Sequence, residues 1–93
     1  MDCVIWKYPL ASHDSVLSMP KGAMPLCTEV QFGKPCVWAL VEPAAPKADC
    51  RVVVIGTGHP LPAGEWQYVG TLFDNDLGLV WHVLFQAALE VAA

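Results

Sequence analysis

The chain has few cations, because only five of its 93 residues are Lys or Arg, and its formal net charge is −4. Proteins that bind nucleic acid irrespective of sequence neutralise phosphates with clustered basic side chains, and no such cluster occurs. The sequence has no apolar run of about 18 residues, and its start lacks the basic and apolar segments of a secretory signal. We therefore expect no nucleic-acid polymer and no membrane as partners, and a cytoplasmic location.

Motifs for metal binding and catalysis are also missing. The four cysteines have no C-x-x-C spacing, and the three histidines have no H-x-H or H-x-x-x-H spacing. No serine lies in a G-x-S-x-G frame, and the carboxylates are dispersed rather than paired for acid–base chemistry. We therefore predict no catalytic residue, no metal and no cofactor, and we expect the cysteines to be buried free thiols.

What the sequence does contain is a series of short runs rich in β-branched and aromatic residues, separated by Pro and Gly, which is typical of strands and turns. These runs predict an all-β single domain, a small sandwich or barrel of about six short antiparallel strands. Residues 12–15 and 19–22 are expected to be a loop and a turn. Residues 1–86 form the predicted β domain and residues 87–93 an Ala-rich helical or frayed tail, although His82, Gln86 and Glu90 also have helical spacing. The predicted strands are residues 3–8, 24–31, 36–41, 50–55, 67–73 and 79–86.

The most informative local feature is the corner Gly56-Thr57-Gly58-His59-Pro60, which follows the apolar run that Arg51 opens. Two glycines before a proline allow a sharp turn and leave backbone N–H groups accessible beside a hydroxyl and an imidazole. A helix does not follow, so the pattern is neither a dinucleotide-binding nor a P-loop fingerprint. The corner is either a structural turn or a site for an anionic or polar ligand.

Aromatic and apolar residues are abundant, since 55% of the chain is hydrophobic and only 15% is charged. On an alternating strand Trp6 and Tyr8 share one face, with Lys7 on the other, so this strand carries an aromatic platform for stacking. The run 36–41 is apolar on both faces. A small chain with this surplus of apolar surface is expected to bury part of it against a second copy, as a homo-oligomer.

Six motifs occur in order along the chain: Trp6-Lys7-Tyr8-Pro9-Leu10, Met19-Pro20-Lys21-Gly22-Ala23, Trp38-Ala39-Leu40-Val41-Glu42-Pro43, Gly56-Thr57-Gly58-His59-Pro60, Tyr68-Val69-Gly70-Thr71 and Val80-Trp81-His82-Val83. Together they give the chain a resemblance to a family of small phage and prophage proteins of unknown function. This resemblance implies an accessory protein that acts against host immunity, in the manner of proteins that sequester a nucleotide second messenger, such as a cyclic nucleotide or a cyclic ADP-ribose type of molecule. On that interpretation Trp6 or Tyr8 stacks a base, Lys7 and Arg51 meet phosphates, and Thr57, Gly58 and His59 donate hydrogen bonds.

Two other functions remain open at this stage. A virion or assembly component would use the apolar strands for protein–protein contact and would need no polar pocket. A phosphodiesterase that degrades the messenger would need a general base beside a phosphate, and His59 is the candidate for that role.

Overall fold

A computed structural model describes residues 2–88, which fold as an open sandwich of seven antiparallel strands in two sheets, without a helix. The prediction of an all-β sandwich is confirmed. One sheet has three strands in the order β1-β4-β3, and the other has four in the order β2-β5-β7-β6. The strands are β1 Val4–Pro9, β2 Asp14–Pro20, β3 Met24–Gln31, β4 Lys34–Val41, β5 Lys47–Gly56, β6 Gln67–Asp74 and β7 Leu79–Gln86.

The chain passes repeatedly from one sheet to the other. Only β3–β4 and β6–β7 are hairpins between consecutive strands. β5 and β6 are both antiparallel to β7 and are therefore parallel to each other, so the segment 57–66 must cross one face of the four-stranded sheet. It crosses the outer face, where Arg51 lies over the ring of Trp66, 5.4 Å from its centroid, and Gln86 donates to the Glu65 carbonyl at 3.5 Å.

The hydrophobic core lies between the sheets and is built from alternate positions of the central strands. Val37, Ala39 and Val41 of β4 face Val52 and Val54 of β5, and all five are at most 6% exposed. The two sheets are in contact where β3 packs against β6. A Cβ at Gly70 would lie 2.9 Å from Thr28 Cγ2, so only glycine fits at this contact.

The prediction missed one strand, because residues 14–20 form β2 rather than a loop and the start of a turn. The alternation of apolar and polar residues that is typical of a half-buried strand is not evident in β2, because serines interrupt it. Ser15 is on the inner face yet polar, and it is accommodated because its hydroxyl donates to the Ser12 carbonyl at 3.1 Å. The turn after β2 begins later than predicted, at Lys21-Gly22, where Gly22 has a φ of 85°. The fourth predicted strand, residues 50–55, is also longer than expected, since β5 spans Lys47–Gly56.

At the other end of the chain, residues 79–86 are a strand, so the helical spacing of His82 and Gln86 does not indicate a helix. Residues 87 and 88 have no regular structure, and the rest of the predicted tail lies outside the described residues. No part of residues 2–88 forms a helix that is long and apolar enough to cross a bilayer. The four thiols are free, but the expectation that all are buried is wrong, because Cys3 and Cys27 are exposed.

Candidate functional site

The glycine corner is a hydrogen-bonded turn at the end of β5. The His59 N–H donates to the Gly56 carbonyl at 3.0 Å, and Gly58 has a φ of 88°, which favours glycine. The Thr57 N–H donates to the Val80 carbonyl at 3.2 Å, which ties the turn to β7. A Cβ at Gly56 would lie 3.3 Å from the His59 ring and 3.4 Å from Trp81, so this glycine allows both rings to pack against the backbone.

A chain of hydrogen bonds begins at the Thr57 side chain and runs across the outer face of the four-stranded sheet. Its hydroxyl is 2.7 Å from His82 Nε2, and His82 Nδ1 is 2.5 Å from the Tyr68 hydroxyl. That hydroxyl is in turn 2.6 Å from the Thr71 hydroxyl. Pairing of β6 with β7 and of β7 with β5 brings these side chains together, since Thr71, His82 and Ile55 are in register. Both ring nitrogens of His82 are therefore engaged, and the chain fixes Thr57 and the turn that contains it.

On the inner side of the same sheet, an end cleft of about 590 Å³ opens between the two sheets. Its floor is apolar, with Val54 and Leu72, and the His13 and Trp81 rings stack in its wall with centroids 5.2 Å apart and an interplanar angle of 30°. The β6–β7 turn supplies polar groups at the rim, namely Asp74, Asn75 and Asp76. The volume is within the range of about 300–1,000 Å³ that is usual for small-molecule sites.

Trp81 connects this cleft with the glycine corner. A second cavity, of about 370 Å³, is lined by Gly56, Thr57 and His59 on one side and by the end of the β6–β7 turn on the other. Trp81 lines both cavities. The candidate site is therefore the end of the sandwich at which an aromatic ring separates an apolar cleft from a polar turn.

Arg51 is not part of this end of the molecule. It lies five residues before Gly56 on β5, which is about 17 Å along an extended strand. Its guanidinium forms a bidentate pair with Asp14, with Nε–Oδ1 and Nη2–Oδ2 distances of 2.9 and 2.6 Å. The hydrogen bond from Arg51 lowers the pKa of the Asp14 carboxyl, and the same bond raises the pKa of the guanidinium. A ligand phosphate would have to compete with the Asp14 carboxylate for the N–H groups of this guanidinium.

The predicted aromatic platform, Trp6 and Tyr8, lies on β1 in the other sheet, together with Lys7. Tyr8 packs against the core, and Trp6 shares its face but is covered by Lys47, whose Nζ is 4.7 Å from the ring centroid. Burial, and secondarily Cys50, raises the pKa of Tyr8, whose hydroxyl has no hydrogen-bond partner among residues 2–88. Lys7 points to the opposite face and donates to Gln31 at 2.9 Å.

Of the predicted ligand-binding residues, the structure thus brings together Thr57, Gly58 and His59, but does not bring Trp6, Lys7, Tyr8 or Arg51 to the same place. Ligand binding by any of them stays a prediction. Sequence reasoning missed the partners of the corner, His82, Tyr68 and Thr71, and the cleft ring pair His13 and Trp81. Tyr68, Thr71 and His82 lie in two separate segments of the sequence, and their proximity depends on strand order. No cluster of metal-ligating side chains occurs within residues 2–88.

The chain was compared with known protein families. The profile of a family described as a domain of unknown function, DUF7352, matches residues 1–92. Among curated proteins and among solved structures, none is significantly similar to this chain.

Proposed function

The chain belongs to the DUF7352 family, and we propose that it is a phage accessory protein that binds and sequesters a nucleotide-derived immune signal without cleaving it. The observation that supports this proposal is the position of Trp81 between the end cleft and the glycine corner. A nucleotide has the same division, with a planar base on one side and a polar sugar phosphate on the other. Stacking of a base on an aromatic ring is worth about 1–3 kcal/mol.

The charges at the site orient such a ligand. Asp74 and Asp76 at the rim of the end cleft would repel a phosphate but can accept hydrogen bonds from the amino groups of a base. The base therefore enters the end cleft beside Trp81, and the phosphate lies toward the corner. There the His59 ring lines the cavity and has no hydrogen-bond partner among residues 2–88, and the N–H of the adjacent Gly58 donates to no backbone carbonyl of these residues.

The hydrogen-bonded chain behind the corner suits binding better than turnover. His82 is fixed between the Thr57 and Tyr68 hydroxyls, so it holds the turn in one geometry. A preformed turn reduces the entropy lost when a ligand binds. Sequestration requires a low dissociation constant and an unaltered ligand, and it needs no proton transfer.

The proposal is tested by calorimetry of the purified protein with a panel of cyclic dinucleotides and cyclic ADP-ribose isomers. We expect one member of the panel to bind and to be recovered chemically unchanged after the protein is denatured. No binding by any member would contradict the proposal for these ligands. An altered product, formed by the parent but not by His59→Ala, would instead establish a messenger-degrading enzyme.

Variants of the corner locate the site. His59→Ala should weaken binding by about 0.5–1.5 kcal/mol, the contribution of an ordinary hydrogen bond. Ser18→Ala is the control, because Ser18 is exposed on β2, lines neither cavity and is outside the hydrogen-bonded chain. Equal losses in both variants would place the ligand elsewhere.

The role predicted for Arg51 has its own test. If a ligand phosphate reaches its guanidinium, then Asp14→Asn should tighten binding, because the competing carboxylate is removed, and Arg51→Ala should weaken it. If neither substitution changes the affinity, Arg51 serves only its pair with Asp14.

A second candidate function, a virion or assembly module, is favoured by a different observation. The outer face of the three-stranded sheet exposes Ile5, Met24 and Leu26, which are 58%, 54% and 45% exposed. An assembly protein would use this face and would leave the end cleft empty in every ligand titration.

A further inference from the structure

The floor and wall of the end cleft suit a flat ring system. Val54 and Leu72 form the floor, and the His13 ring is stacked with Trp81 in the wall. The His13 carbonyl accepts from the Val54 N–H at 2.8 Å, which holds His13 beside the floor. Because His13 is exposed, a planar base can join the stack of the two rings.

The β6–β7 turn at the rim of the cleft supplies the groups that bind the edge of this base. Asp74 Oδ1 accepts from the Leu77 N–H at 3.1 Å, so the Asp74 carboxylate holds the turn. Asp76 lines the same cleft and is exposed, and it has no hydrogen bond or ion pair within residues 2–88. Both oxygens of Asp76 are therefore free to accept, and an ionised carboxylate has no hydrogen to donate.

We propose that the base bound in the end cleft is guanine, and that Asp76 selects it by accepting hydrogen bonds from both its N1–H and its 2-amino group. This inference rests on the proposed function, because it names the base of the ligand proposed there. Asp76 is the specificity-determining residue, and Asp74 positions the turn that carries it. Asn75 lies between them and also lines the cleft, so its amide supplies a donor for the guanine O6.

The arrangement of donors and acceptors on the bases favours guanine over the others. Guanine has two adjacent donors on its Watson–Crick edge, which match the two oxygens of one carboxylate. Adenine and cytosine each have an amino group beside an acceptor nitrogen, so one oxygen of Asp76 would face a lone pair. Uracil has a single N–H between two carbonyls. Asp76 therefore gains two charge-assisted hydrogen bonds from guanine and at most one from each other base.

The first experiment titrates the full chain with 5′-GMP, 5′-IMP and 5′-AMP, which carry the same phosphate and differ only in the base. The readout is the NMR shift of the Trp81 indole N–H, which reports binding in the end cleft. GMP should bind about tenfold more tightly than AMP, or better, because a hydrogen bond to a charged group is worth at least that much. IMP, which lacks the 2-amino group, should be intermediate. AMP binding as tight as GMP binding would overturn the proposal.

The second experiment changes the preference with Asp76→Asn. The new amide has one donor and one acceptor, which complement N1 and the 6-amino group of adenine. The affinity for GMP should fall by about tenfold or more, and the affinity for AMP should rise. Asp49→Asn is the matched control, because it removes the same charge from an exposed position of β5 that does not line the cleft. Circular dichroism verifies that both variants are folded. A GMP-to-AMP affinity ratio that is equal in Asp76→Asn and the parent would show that Asp76 does not select the base.

Failure of this inference and failure of the proposed function give different results. If GMP is preferred but no cyclic dinucleotide or cyclic ADP-ribose isomer binds, sequestration of a messenger is wrong and the selection of guanine stands. If cyclic di-AMP binds as tightly as cyclic di-GMP, a messenger is bound and the selection of guanine is wrong. If no nucleotide shifts the Trp81 signal at millimolar concentration, both proposals are wrong.

Discussion

The two outer faces of the sandwich differ in how far the rest of the chain covers them. The face of the four-stranded sheet is crossed by residues 57–66, and Val53, which points to that face, is only 1% exposed. Within residues 2–88 no segment crosses the outer face of the three-stranded sheet, and Ile5 on it is 58% exposed. Apolar residues occur on both faces, so exposure here depends on topology rather than on composition. A connection between parallel strands covers a sheet, and hairpins leave it open.

The largest difference in stability is expected when a charge is placed at an equivalent position on each of the two outer faces. Val53→Asp buries a carboxylate under the crossing segment and should lower the free energy of unfolding by about 4 kcal/mol or more. Ile5→Asp should change it by only about 0.5 kcal/mol, because that side chain already meets water. Urea denaturation of both variants, at concentrations where the chain is monomeric, gives the two values. Similar losses would mean that the faces are equally buried.

A second test removes the anchor of the crossing segment. Trp66 donates from its indole to the Pro62 carbonyl at 2.8 Å and lies under Arg51. Trp66→Ala should cost about 2 kcal/mol, less than the 3–5 kcal/mol for a fully buried tryptophan, because the ring is half-exposed. Hydrogen exchange should then accelerate in residues 57–66 before it accelerates in β4. Uniform acceleration over the whole chain would contradict a local anchoring role.

A third test concerns the edge of the open face. Phe32, at the tip of the β3–β4 turn, is 91% exposed and has a φ of 52°, which an aromatic residue rarely adopts. Phe32→Asn should raise the free energy of unfolding by about 1 kcal/mol, since Asn tolerates this conformation. The gain should appear as a higher melting temperature. A loss instead would indicate that the contact of Lys7 with the Phe32 ring, 5.7 Å from its centroid, stabilises the turn by more than the strain costs.

The smallest effect is expected for the ion pair on the covered face. Arg51 holds the pKa of Asp14 below its ordinary value of 3.8. The pair therefore contributes its stability above the unfolded-state pKa, and this contribution disappears as the pH falls through the lower folded-state pKa. Because both side chains are exposed, Asp14→Asn should cost only about 0.5 kcal/mol at neutral pH and low salt. The difference from the parent should disappear as the pH falls through the lowered folded-state pKa of Asp14, as thermal melts at several pH values would show.

The strands that sequence reasoning identified are those with apolar or β-branched runs, such as β4 and β5, where local pattern and tertiary burial agree. It missed β2, because Ser15 occupies an inward position that is satisfied by a local hydrogen bond rather than by apolar packing. It recognised the turn at residues 56–60 from its glycines. The sequence did not reveal that Arg51 is paired with Asp14 rather than directed to that turn, because these two residues are 37 positions apart.

The same limit applies to the site. The proximity of Thr57 to His82, and of His13 to Trp81, is created by the strand order β2-β5-β7 and not by any local spacing. The hydrophobic periodicity of a single segment gives no information about that strand order. Sequence patterns could therefore suggest the corner, but not the cleft behind it.

The strand order also has a consequence for synthesis on the ribosome. β1 pairs with β4 and β2 pairs with β5, so each of the first two strands must wait for a partner that is made much later. Only the β3–β4 hairpin can form early, and the four-stranded sheet is complete only after β7 has emerged. Non-local pairing of this kind slows folding to milliseconds or longer in comparable β proteins. During that interval the apolar strand β4 is exposed on both faces, so the nascent chain is most vulnerable to aggregation before its last strand appears.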